Sequence, residues 1–186
     1  LMMSSFDFFL APAQAAAFRA VGLLSAPHAC HLAMKWLEAG SESVAVAAMA
    51  IEDGSYVGWA DVSLIFREAM EESGVKALTK EEEHALRMHA LLGAFLNREV
   101  AAGDLWDLGI RLPSLNDSNG FGLSDVCSEQ LFCLALEFNE IMNGEVFTGR
   151  KLSVVSADLN LETDRLRREI EEIWPVCLPG PDSSPQ

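Results

Sequence analysis

Positive charge is scarce in this sequence. Its 186 residues hold 13 Lys and Arg against 28 Asp and Glu, a formal net charge of −15 at pH 7. Such a balance repels nucleic-acid phosphates and anionic lipid surfaces, so no nucleic acid and no membrane is expected as a partner. A basic protein is the partner it would suit. Tyrosine occurs once, and no stretch alternates apolar and polar residues, so no β-strand is predicted. No segment approaches the roughly 18 uninterrupted apolar residues that a membrane-spanning helix needs. The apolar stretch SSFDFFLAPAQAAAF has no basic residue before it, which excludes a secretory signal, and Leu1 ahead of Met2 and Met3 reads as a tag remnant. The cysteines Cys30, Cys127, Cys133 and Cys177 form no CxxC pair. The first three fall in apolar helical runs, where a reduced thiol packs as a small hydrophobe, and a reducing cytoplasm is the expected location. No residue signature recurs at a fixed period, which argues against a solenoid.

What is present is helix after helix. Half of the residues are apolar, enough for a sizeable core, and Ala, Leu, Glu and Met are plentiful. The expected fold is an all-α, single-domain bundle of about six to seven helices over residues 1–176, with 177–186 as a disordered tail. The first helix is expected from Pro12 to about Val21. Ser25 caps the second, whose stripe of Ala29, Leu32, Ala33, Trp36 and Leu37 ends at Gly40. Ser41 or Ser43 then caps a short third helix to Ile51, and a fourth runs from Trp59 to Ser73. Thr79 with Glu82 three residues on is a capping box for the fifth, predicted to continue to Ala101 or Ala102 with Gly103 as its stop. The Pro-, Asn- and Gly-rich stretch 104–124 reads as a long loop. Apolar residues on more than one face of Ser124–Asn143 mark a buried central helix, and the last helix is expected from Ala157 to Trp174.

Each motif with a chemical flavour has a plainer explanation. Gly40-Ser41 lacks the lysine of a phosphate loop and reads as a joint between helices. His28 and His31 stand one turn apart in HACH, yet no third and fourth ligand accompanies them, and His28 should be solvated. Glu81-x-x-His84 is half of a di-iron pair with no second half. Placing Gly120 at the sixth position of an EF-hand loop puts Leu115 and Val126 where acids are required. No metal or cofactor is expected.

The remaining signal is the distribution of acids. Asp61, Glu68, Glu71, Glu72, Glu81 and Glu82 fall on two successive helices, and packed side by side these would carry a negative face able to steer a basic partner. Trp106, in the long loop, adds a candidate apolar contact. Ala33, Trp36 and Leu37 ahead of Gly40, then a serine-capped helix, then SLIFREAMEESGV, resemble small all-helical bacterial proteins, some of which act as immunity or inhibitor proteins. The resemblance spans about residues 33–75 and implies an all-helical fold and a protein partner, with no catalytic residue. The leading expectation is therefore a non-enzymatic acidic interaction module that neutralises a basic protein. The alternatives are a helical enzyme or ligand-binding protein, with a pocket closed by the 104–124 loop and His84, His89 or Glu137 as its polar groups, and a homodimer formed through an apolar helix face.

Overall fold

The computed structural model describes residues 8–52, 57–105, 125–145 and 149–177. The fold is all-α. Seven longer α-helices, a helical turn at 102–105 and a terminal 3₁₀ turn make up the regular structure of the described residues: α1 Pro12–Ala20, α2 Ala26–Glu38, α3 Val44–Ile51, α4 Trp59–Glu72, α5 Lys80–Leu96, α6 Asp125–Met142, α7 Leu152–Ile173 and the turn Pro175–Cys177. The chain divides into two compact units, Leu1–Arg87 and Met88–Gln186.

In the first unit α3 packs between α2 and α4, and α1 packs on α4. The helix boundaries follow from local chemistry. Ser25 Oγ accepts from the His28 N–H, and Ser43 Oγ accepts from the Val46 N–H at 3.0 Å, so Ser43 rather than Ser41 caps α3. Gly40, at φ +96°, supplies the left-handed residue after α2, with the Ser41 N–H closing onto Trp36 O. The joint between α2 and α3 is thus fully explained by capping. Ala29, Leu32, Ala33, Val46, Met49, Val62 and Ala69 fill the core at 0–1 % exposure, each large side chain contributing roughly 1.5–3 kcal/mol by leaving water. Trp36 Nε1 donates to Leu10 O at 2.8 Å, which ties the segment before α1 to α2. Trp59 stands edge-on to Phe66 at 5.3 Å, with Arg19 4.0 Å above its ring.

Arg87 is the unexpected member of this core. It is 2 % exposed, and its Nη1 donates to Ala17 O at 3.0 Å. Ala17 lies in the last turn of α1, where carbonyls lack an intrahelical donor, so the guanidinium both satisfies an orphan acceptor and meets the negative helix end.

In the second unit α6 packs on α7, and α7 on the 3₁₀ turn. Leu131 and Ala135 of α6 and Val155, Leu159, Leu166 and Ile170 of α7 are fully buried. Several expectations need correction here. The fifth helix stops at Leu96: Arg98 takes a left-handed φ of 63°, and the Glu99 N–H turns back to Ala94 O at 2.8 Å. The apolar residues that seemed to prolong it belong to a separate helical turn at 102–105, begun by Asp104 accepting from the Ala101 N–H. Gly103 sits in that turn, where an added Cβ would come within 3.3 Å of Asn139 Oδ1, so close approach and not helix termination explains it. The last helix starts at Leu152, five residues early, because Val155 extends the buried stripe by one turn. Helix α6 is amphipathic, with Glu129, Gln130 and Cys133 exposed; Cys133 does not pack as a core hydrophobe. Cys177, expected to open the tail, is 3 % exposed. The residues of that tail from 178 onward and most of the 104–124 loop lie outside the described residues.

Candidate functional site

The six acids singled out in α4 and α5 divide into two groups. Asp61 Oδ2 accepts from the Gly58 N–H at 2.9 Å, across the first turn of α4. Glu82 Oε2 accepts from the Thr79 N–H at 2.8 Å, while Thr79 Oγ1 accepts from the Glu82 N–H at 3.2 Å, which is the reciprocal capping box the spacing predicts. Glu72 reaches from the last turn of α4 to the first turn of α3, accepting from Ser43 Oγ at 2.6 Å and from the Ala45 N–H at 3.2 Å. The Ser43 hydroxyl, followed by the Ala45 N–H, holds the Glu72 carboxyl below its ordinary pKa. These three acids hold helix ends. Glu68 and Glu71 are exposed and Glu81 is half-buried, and none of the three makes a hydrogen bond or ion pair among the described residues. Trp106 lies outside those residues.

Of the polar groups of the pocket alternative, His89 and Glu137 are committed to other side chains. His84, 5 % exposed in the first unit, has its pKa pushed down to about 4 by burial and then by the Arg87 charge. In the second unit His89 Nε2 lies 2.8 Å from Glu171 Oε1 and 3.4 Å from Arg167 Nε. Burial lowers its pKa, and the Glu171 hydrogen bond opposes that effect. Glu137 accepts from Arg150 Nη1 at 3.0 Å. Five residues of helix separate His84 from His89, so the two side chains leave α5 about 140° apart. His28, expected in solvent, is half-buried with Nε2 3.2 Å from Phe8 O. Among the described residues no group of three His, Cys, Asp or Glu side chains could hold a metal ion.

Two features escaped the sequence reading. Ser43 and Glu72 are 29 residues apart, so no local spacing announces their contact. The burial of Arg87 and His84 on the core side of α5 is contrary to what their polarity suggests. The chain matches no family model, no curated protein and no solved structure. No described helix is long and apolar enough to cross a membrane.

Proposed function

We propose that the protein is a non-enzymatic, cytoplasmic interaction module that holds a basic protein, in the manner of an immunity or inhibitor protein. The observation that supports it is the uncompensated state of Glu68, Glu71 and Glu81. Glu68 and Glu71 are exposed, Glu81 is half-buried, and none of the three has a partner among the described residues, against a background of −15 for the whole chain. Unneutralised carboxylates on successive helices attract a cationic partner over about a Debye length, roughly 8 Å at physiological salt, before any contact forms. The enzyme alternative has no comparable support, since His89 and Glu137 are taken up by Glu171 and Arg150 respectively.

The test uses the purified protein as bait in host lysate, at low and at physiological salt. A basic protein should be retained at both, and the Glu68→Lys, Glu71→Lys, Glu81→Lys variant should release it while staying folded, with only a small drop in melting temperature from the cation placed in the first turn of α5. Glu72 and Glu82 are left intact because their reversal would break helix caps. Retention that survives the triple reversal refutes the proposal.

A further inference from the structure

Helix α3, VAVAAMAI, contains no polar residue. A helix that is apolar all round is ordinarily buried all round. Here Ala45, Val46 and Met49 are buried, while Val44 is 77 % and Ile51 81 % exposed, the most exposed large hydrophobic residues of those described. At 100° per residue Val44 and Ile51 fall within about 20° of each other, opposite the buried side. Half-buried Ala47 and Ala48 flank the line between them. The result is an apolar stripe about 10 Å long with small residues along its middle.

Its ends are acidic. Glu42 precedes the helix and Glu52 follows it, both exposed, and the Glu72 carboxylate is fastened to Ser43 at the N-terminal end. This charge decides among occupants. A second copy laid antiparallel would set Glu42 against the partner's Glu52, and a parallel one would set Glu42 against its own counterpart, so either symmetric pairing opposes like charges. Anionic lipid meets the same repulsion. A helix whose apolar side is bordered by Lys or Arg meets complementary charge at both ends.

We infer that the Val44–Ile51 stripe is the apolar half of a docking surface for a basic amphipathic helix. This inference rests on the proposed acidic interaction module and adds to it a place and a partner shape. An apolar side spaced i, i+3, i+4, i+7 lays two or three anchors along the two turns of α3. The shallow Ala47 and Ala48 positions admit close approach of the incoming backbone, and lysines beside the anchors reach Glu42 and Glu52.

The experiment measures binding of the full chain to two labelled Leu/Lys peptides of identical composition by fluorescence anisotropy at physiological salt. One has its leucines on a single helical side, and the other has them distributed all round. The native chain should bind the one-sided peptide at least tenfold more tightly. Val44→Ser with Ile51→Ser should abolish that preference while leaving the helical circular dichroism intact, because both side chains are mostly exposed. The Glu68→Lys, Glu71→Lys, Glu81→Lys variant should weaken both peptides alike. Equal binding of the two peptides by the native chain overturns the docking stripe and leaves the acidic module standing; binding of neither overturns both. Self-association of the native chain that the double serine variant abolishes, or its sedimentation with lipid vesicles, would assign the stripe to a second copy or a membrane and overturn the inference.

Discussion

Helices α4 and α7 both carry dense charge, and they dispose of it differently. Along α7 the charges answer one another. Arg165 lies 2.8 Å from Glu162 and 3.7 Å from Glu169, Arg168 lies 2.5 Å from Asp164, and Arg167 lies 3.6 Å from Glu171, all at i,i+3 or i,i+4 spacing. Arg150, just before the helix, joins Asp158 to Glu137 of α6. Along α4, Asp61 and Glu72 are spent on helix ends, Glu68 and Glu71 answer nothing, and Arg67 makes no ion pair among the described residues. Most charges of α7 are paired along the helix, although its acids outnumber its arginines and Glu172 makes no ion pair among the described residues. The charged side of α4 keeps a field that an outside cation can neutralise. A count of acids alone ranks the two helices together; only the partners of each carboxylate separate them.

The largest effects should show that the comparison concerns the charged sides and not the cores. Phe66→Ala in α4 and Leu159→Ala in α7 should each destabilise by about 2–5 kcal/mol in denaturant titration, since both remove a buried side chain. A cost confined to one helix would break the parallel.

Acid should act next. The folded pKa of His84, about 4, lies below the ordinary value of 6.5. Between those values the unfolded chain binds the extra proton, so stability is complete above about pH 6.5 and falls as pH drops towards 4, by roughly 3 kcal/mol. His89 and Glu72, both with lowered pKa values, act in the same direction. Melting curves of His84→Gln against the native chain between pH 4 and 7 should show a shallower decline in the variant. Parallel curves would remove His84 from this account.

The smallest effects sharpen the contrast most. Ser43→Ala removes the α3 cap and the main partner of Glu72, and should cost about 1 kcal/mol. Arg165→Ala removes two exposed ion pairs from α7 and should cost only a few tenths of a kcal/mol. Equal losses in thermal melts would mean that the α7 pairs are structural as well.

Much of this was legible in the sequence wherever the signal is local. Ser25, Gly40 and the Thr79–Glu82 box are set by residues three or four apart, and the structure has them as read. The end of α5 was not legible, because Val100 and Ala102 continue an apolar rhythm across a break that Arg98 makes with its backbone alone. The start of α7 was hidden for the opposite reason. Ser153 and Ser156 dilute the stripe that Val155 begins, and burial only shows once α6 is in place. The candidate site was half legible: position marks Asp61 and Glu72 as acidic, but their use as caps depends on Gly58, which has no side chain to signal it, and on Ser43, far away in sequence.

One contact also sets an order of events. Arg87 donates to the carbonyl of Ala17 across 70 positions of chain. Closing a loop of that size costs roughly 4 kcal/mol of entropy relative to neighbouring residues, so the tie forms late and leans on helices already assembled. On the ribosome, at roughly 5–20 residues per second, residue 87 is added some 4–14 seconds after residue 17. Through that interval the Ala17 carbonyl is left to water, while the Gly22 and Leu23 N–H groups close the rest of the helix end onto Arg19 O and Phe18 O.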